Sequence, residues 1–146
     1  MVQAVGRRYV SAYHRRHGGS GTLWNGRYRC AVVESGATLL DVLCLIDGLA
    51  EGQASPGRGL RTAGDAAPWL SDPPDYWALG NTPFDRQSAW RLRLSEGLGL
   101  DRAQALLKAA MGGWVVGSTS FALAVAESAA RPVSPRARGR PAGRAG

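Results

Sequence analysis

Apolar side chains near the start of the chain recur with the period of an α-helix. Over residues 2–16 they fall within an arc of about 80° on a helical wheel. They are Val2, Val5, Tyr9 and Tyr13. Glycines at positions 18 and 19 are typical of a helix C-terminus. The pattern predicts a first helix with one buried apolar stripe and a cationic outer face that carries Arg7, Arg8, His14 and Arg15.

Further helices are expected where helical periodicity follows a capping signal. Ser35 is placed to cap a helix over residues 37–49. Thr82 and the proline after it predict a helix that runs to about residue 94. We expect Asp101 to cap a helix over residues 102–111, and Ser118 or Thr119 to cap one over 121–130. The apolar residues expected to pack are Leu39, Leu40, Leu43, Ile46, Trp90, Leu94, Leu106, Leu107, Trp114, Phe121 and Val125.

Other stretches lack this periodicity. Residues 48–75 are rich in glycine, proline and aspartate, which is typical of a linker or a long irregular loop. Residues 131–146 cannot form a packed core, and we expect this tail to be disordered. A short extended or hairpin-like segment is predicted at residues 21–29, followed by an apolar run at 30–33.

Charge is distributed unevenly along the 146 residues. Residues 1–33 contain six arginines and no carboxylate, and residues 131–146 contain five more arginines and no carboxylate. Residues 34–130 hold all 11 acidic side chains against seven basic ones. The formal net charge of +7 therefore joins two cationic ends to an acidic middle. Such ends favour a polyanionic partner, and nucleic acid is the commonest one.

The residues predicted to contact DNA lie in three places. Arginines on the first helix match phosphate oxygens, and in segment 21–29 aromatic rings alternate with arginines, a pattern suited to base stacking and phosphate neutralisation. Residues 138–141 match the core of an AT-hook, which lies in the minor groove of A·T-rich DNA; nonspecific phosphate binding is the alternative. The predicted DNA-binding residues are Arg7, Arg8, Arg15, Arg16, Trp24, Arg27, Tyr28, Arg29, Arg138 and Arg140.

The other candidate chemistry is sparse. Cys30 and Cys44 lack metal-site spacing and are too few for a disulfide framework, which favours a reduced, cytoplasmic protein. Cys44 lies on an apolar helix and is interpreted as a small buried hydrophobe. His14 and His17 have no third ligand nearby, so we expect no metal site. Because no apolar run approaches about 20 residues, we expect neither a membrane span nor a targeting signal.

Several motifs occur in a fixed order along the chain. They are Gly6-Arg7-Arg8-Tyr9, Arg15-Arg16-His17-Gly18, Gly21-Thr22-Leu23-Trp24 with Gly26-Arg27-Tyr28, Tyr76-Trp77-Ala78-Leu79-Gly80-Asn81-Thr82-Pro83, Arg86-Gln87-Ser88-Ala89-Trp90, and Gly113-Trp114-Val115-Val116-Gly117-Ser118-Thr119-Ser120-Phe121. An Arg-Gly-Arg-Pro tail follows. The series closely resembles the REP-associated tyrosine transposases, which belong to the IS200-like, HUH-type transposases. The resemblance covers most of the chain.

The resemblance implies a metal-assisted tyrosine nuclease. In that family a His-hydrophobic-His pair holds Mg²⁺ or Mn²⁺, and a tyrosine attacks the scissile phosphate of single-stranded DNA. This chain has no His-x-His, and Leu45 stands where the tyrosine would be. Cys44 replaces the arginine before that position. We therefore expect no catalytic residue, no metal ligand and no cofactor.

The fold expected from the resemblance is mainly α with a short β segment. Residues 1–50 would be the remnant of an α+β, ferredoxin-like transposase domain, 51–76 a linker, 77–130 a small helical accessory unit and 131–146 a disordered basic tail. The predicted function is binding of single-stranded or hairpin DNA by a truncated, inactive transposase relative, cytoplasmic and nucleoid-associated, with a homodimer allowed. The alternatives are a stand-alone DNA-binding regulator of transposition and a non-functional pseudogene product.

Overall fold

The computed structural model describes residues 2–24, 29–49, 55–129 and 132–135. Within these ranges the helices are α1 (Val2–His17), α2 (Ala37–Asp47), α3 (Gly57–Ala63), α4 (Pro74–Trp77), α5 (Pro83–Glu96), α6 (Leu100–Gly112) and α7 (Thr119–Ser128). The predicted helices correspond to α1, α2, α5, α6 and α7, with ends shifted by at most two residues. Helical periodicity therefore located most of the helical structure.

The predicted ferredoxin-like remnant is wrong, because the described residues contain no sheet. The extended structure there is one isolated parallel bridge between Val33 and Val116. Val116 N donates to Val32 O at 2.8 Å, and Glu34 N donates to Val116 O at 2.8 Å. A strand needs a neighbour along its length to pair its backbone groups, and the apolar run at 30–33 pairs for only this short distance. The mainly α part of the expected fold agrees in part, since the described residues are mostly helical.

A second chain segment joins this bridge. Val115 N donates to Val133 O at 3.0 Å, while the next residue bonds to Val32. Residues 115–116 therefore lie between a segment that follows α1 and the start of the arginine-rich tail, residues 131–146.

The helix N-termini show which capping predictions hold. Thr82 and Asp85 form a capping box at the start of α5, and Ser118 Oγ accepts a hydrogen bond from Phe121 N at the start of α7. The predicted caps Ser35 and Asp101 are wrong, because Gly36 and Gly99 hold the N-cap positions of α2 and α6 without a side-chain cap bond. The backbone N–H of Gly36 instead donates to Asp75 Oδ1, which lies 39 residues further along the chain.

The core lies where α5 packs against α2 and α3, with α4 against α2. Cys44, Tyr76 and Trp90 are its buried centre. The partly buried residues around it are Leu40, Leu43, Leu79, Leu94 and Leu98. The prediction that Ile46 and Leu107 pack inward is wrong, since their side chains are 40% and 51% exposed.

The interval predicted as a linker contributes to this core. Residues 57–63 form α3 and residues 74–77 form α4, so their interpretation as an irregular loop is wrong. Arg61 on α3 is 5% exposed and Tyr76 on α4 is 4% exposed. Glycine and proline mark turns in sequence, but here they also start two short helices. Residues from the first predicted unit, the linker and the accessory unit share one core.

Candidate nucleic-acid interface

Helix α1 leaves its apolar stripe accessible. Val5, Tyr9 and Tyr13 are 61%, 52% and 38% exposed, so the predicted burial of this stripe is wrong. The residues recur at helical spacing, but in the described part of the chain they cover no core. Exposed aromatic rings on a helix are available for a ligand.

The chain turns after α1 and folds back along it. Positive φ angles at three glycines, 72° at Gly18, 106° at Gly19 and 97° at Gly21, form this turn. A hydrogen bond of 3.0 Å joins His14 Nε2 to Gly21 O and fixes the turn on the helix. Trp24 N then donates to Thr22 Oγ1 at 3.1 Å. This bond tightens the backbone at residues 22–24, and the Trp24 ring lies beside Tyr9 of α1.

Four rings form a continuous row, which we call the aromatic ladder: Trp24, Tyr9, Tyr13 and His17. The ring centroids are 5.8 Å apart for Trp24 and Tyr9, 6.2 Å for Tyr9 and Tyr13, and 4.6 Å for Tyr13 and His17. The last three residues are four apart in sequence, so they lie on one face of the helix. Trp24 is 54% exposed, which leaves much of its surface free for a partner.

Arginines lie on both sides of α1. Arg16, three residues after Tyr13, lies beside the ladder, whereas Arg8 and Arg15, seven residues apart, share the other side of the helix. These three, with Arg7 and Arg29, are exposed. The ion pairs in the described ranges involve Arg61, Arg93 and Arg102 and none of these five. Their charges are therefore available to an anion outside the chain.

Part of the predicted interface lies outside the described residues. Arg27, Tyr28, Arg138 and Arg140 belong to this group. Trp24 lies against α1 as the ladder requires, and Arg29 is exposed two residues before the apolar run. The structure thus brings Trp24 against Tyr9 of α1, and forms no ion pair between a carboxylate and the arginines of α1 in the described ranges.

The position of the family tyrosine carries no nucleophile. Leu45 lies on α2 and is partly buried. The neighbouring Cys44 is 3% exposed, in agreement with its interpretation as a buried hydrophobe, and its thiol lies 3.7 Å from Arg93 O. Burial raises the pKa of the Cys44 thiol above its usual value, which keeps it in the less reactive protonated form.

The metal ion that the resemblance implies does not fit the described residues. They contain no group of three or more His, Cys, Asp or Glu side chains able to hold a metal ion. His14 Nε2 is engaged with Gly21 O, and His17 packs against Tyr13. No catalytic step through a metal is therefore derived for this chain.

Sequence reasoning missed a second constellation of charged and aromatic residues, which we call the buried charge network: Asp47, Arg61, Asp72, Tyr76 and Trp90. Arg61 Nε and Nη2 donate to the two carboxylate oxygens of Asp47, each at 2.8 Å. Arg61 Nη1 donates to Asp72 Oδ1 at 2.6 Å. Trp90 Nε1 donates to Asp47 Oδ2 at 3.1 Å. Tyr76 OH donates to Arg61 O at 3.1 Å.

The network is closed to ligands. Asp47 is 0% exposed, and a Cβ at Gly57 would collide with the Arg61 guanidinium, so glycine is required there. Burial alone would lower the pKa of Arg61, but hydrogen bonds to Asp47 and Asp72 outweigh it and raise the pKa. Burial, reinforced by Asp72, also raises the pKa of Tyr76. These residues hold the core together.

No family model, curated protein or solved structure matches the chain. In the described ranges, none of the helices combines the length and the apolar character needed to cross a bilayer. The function of this chain is therefore inferred from the geometry of its own side chains.

Proposed function

We propose that the chain binds single-stranded DNA, including the loop of a hairpin, through the aromatic ladder and the exposed arginines of α1, and that it does not cut this DNA. The observation that carries the proposal is the combination on α1 of exposed rings with arginines that have no carboxylate partner in the described ranges. Proteins that bind single strands combine stacking rings with a cationic track for the backbone.

The aromatic ladder favours a single strand over a duplex. Unpaired bases expose the faces that can stack on Trp24, Tyr9 or Tyr13, whereas a duplex buries those faces in its own stack. Arg16 lies beside the rings, three residues after Tyr13, where a backbone would carry a phosphate. Guanidinium groups can donate two hydrogen bonds to one phosphate, which orients the strand as well as attracting it.

Several features support binding without cleavage. Leu45 has no nucleophilic atom, Cys44 is buried with a raised pKa, and the hydroxyl of Tyr76 is engaged with Arg61 O in the core. The resemblance to REP-associated transposases supports DNA as the polyanion. A protein that binds such DNA without cutting it would act as a regulator of transposition and be found on the nucleoid.

The test is binding to a fluorescein-labelled dT20 oligonucleotide, followed by anisotropy between 50 and 300 mM salt. We expect R16Q to weaken binding and to reduce the slope of log K against log salt by about 0.7, the contribution of one phosphate contact on a single strand. K108Q removes the same charge from α6 and is the matched control. Equal losses in the two variants, or no binding by the native chain, would refute the proposal.

Cleavage is tested separately. The chain is incubated with a hairpin oligonucleotide and Mg²⁺ or Mn²⁺, and denaturing gels are examined for a covalent protein–DNA adduct. We expect none. A phosphotyrosine adduct would overturn the claim of binding without cleavage while leaving DNA binding in place.

A further inference from the structure

An open surface cavity of about 390 Å³ lies beside helices α3 and α5, and no residue of the aromatic ladder lines it. Its lining residues are Arg58, Thr62, Arg91, Leu94 and Ser95. Two exposed arginines, two hydroxyl groups and one apolar side chain thus border one space. Its volume is within the range of small-molecule sites, which begins at about 300 Å³.

Both arginines are held by neutral acceptors. Arg91 Nη1 donates to Thr62 O at 2.7 Å, and Arg91 Nη2 donates to Ser88 Oγ at 3.2 Å. Arg58 Nη1 donates to Leu49 O at 3.3 Å. These bonds orient the guanidinium groups without neutralising them. In the described ranges neither arginine forms an ion pair.

Arg61, on the same helix, differs from Arg58 in having carboxylate partners. Arg61 lies three residues after Arg58, yet it points into the core and binds two carboxylates. Arg58 and Arg91 instead bring two positive charges to one cavity with no negative group among its lining residues. Like charges held together repel each other, so an anion bound between them would be favoured. Their orientation before binding lowers the entropy cost of binding.

We propose that this cavity, which we call the α3/α5 cleft, binds a phosphate group carried by a nucleotide. Planar guanidinium groups match phosphate oxygens, and Leu94 offers an apolar wall to the sugar or base. The phosphate belongs either to the backbone of the strand on α1 or to a free nucleotide. The first source rests on the proposed function, whereas the second is independent of it.

The experiment observes the arginines directly by ¹H–¹⁵N NMR of their Nε–H groups. The full chain is titrated with inorganic phosphate, with dTMP and with dT20. We expect dTMP to shift the signals of Arg58 and Arg91 more than those of Arg7 and Arg8. R58Q should weaken dTMP binding about tenfold or more, as expected for loss of a charge-assisted hydrogen bond. K108Q, which removes the same charge from α6, should leave dTMP binding unchanged.

The variants are chosen so that the cleft is tested in a folded chain. Arg58 makes one bond, to Leu49 O, so R58Q should unfold at the temperature of the native chain. R91K keeps the positive charge but loses the planar guanidinium that donates two hydrogen bonds to a phosphate. This variant should weaken dTMP binding, while its ammonium group can still donate to Thr62 O.

The outcomes separate this inference from DNA binding on α1. If dT20 shifts the Arg58 signal and R58Q lowers its salt slope by about 0.7, the backbone is the source of the phosphate. If dTMP alone shifts it, the source is a free nucleotide, and the inference stands even where dT20 fails to bind. If neither probe shifts Arg58 and Arg91, or R58Q and K108Q behave alike, the inference is overturned, whatever α1 binds.

Discussion

The buried charge network and the aromatic ladder use the same residue types in opposite ways. In the network Arg61 is surrounded by Asp47 and Asp72, and its side chain is 6% exposed. Along the ladder Arg16 is exposed beside Tyr13, with no carboxylate partner in the described ranges. Arginine with aromatic rings is therefore not a signature of binding by itself. What distinguishes the two regions is whether the chain supplies the counter-charge.

This difference follows from where the carboxylates lie in sequence. The first one is Glu34, so α1 has no acid at helical spacing to pair with. The core draws on an acidic middle, from which Asp47 and Asp72 reach Arg61. A buried arginine without such partners would be strongly destabilising, whereas an exposed one remains hydrated until an anion arrives.

The largest expected effect is the loss of Asp47. D47A removes the bidentate partner of Arg61 and the acceptor of Trp90 Nε1. We expect the free energy of unfolding to fall by about 3–5 kcal/mol, measured by urea titration followed by circular dichroism. E127A removes an exposed carboxylate from α7 and should change the same quantity by less than about 0.5 kcal/mol. Similar losses for the two variants would mean that the network does not hold the core.

The ladder should show the reverse behaviour. W24A is expected to leave the urea midpoint unchanged, because Trp24 lies outside the core, and to weaken dT20 binding by about 1–3 kcal/mol, the range for loss of one base–ring stack. W69A is the matched control, since Trp69 is 69% exposed and contributes no ring to the ladder. A loss of affinity in W69A equal to that in W24A would contradict the assignment of the ladder.

A smaller effect should appear at alkaline pH. The pKa values of Cys44 and Tyr76 are raised by burial, so the unfolded chain loses these protons first. Stability is therefore complete below about pH 9 and declines as the pH rises, by at most about 1.4 kcal/mol per pH unit for each group. Urea titrations at several pH values measure this slope. Y76F should remove the part due to Tyr76, and an identical slope in Y76F would show that Tyr76 is not responsible.

Local sequence signals predicted α1, α2, α5, α6 and α7. Contacts between residues distant in sequence determined which side chains are buried and which groups cap the helices. The N-cap at Thr82 could be predicted because its hydroxyl and the Asp85 N–H that it accepts from lie three residues apart. The N-terminus of α2 was misassigned to Ser35 because its real partner, Asp75, is distant in sequence. Apolar periodicity in α1 correctly predicted a helix but could not say whether a core would cover it.

The candidate site was predicted in composition rather than in geometry. The absence of acids before Glu34 marked the arginines of α1, and Trp24 was selected for its place among them. The ladder itself depends on the turn that returns Trp24 to Tyr9. The buried charge network could not be predicted, since its members come from α2, α3, α5 and the segment around α4, including the interval interpreted as a linker.

The hydrogen bonds around Val115 and Val116 have a consequence for avidity. Val116 binds Val32 and Val115 binds Val133, so the two arginine-rich ends of the chain are anchored on adjacent residues. Under the proposed function, a strand captured by one end is presented to the other at high effective concentration. Tethering of this kind can raise overall affinity by a factor of about 10² to 10⁴ without any new contact. Two weakly binding segments more than 80 residues apart in sequence would then bind one strand together.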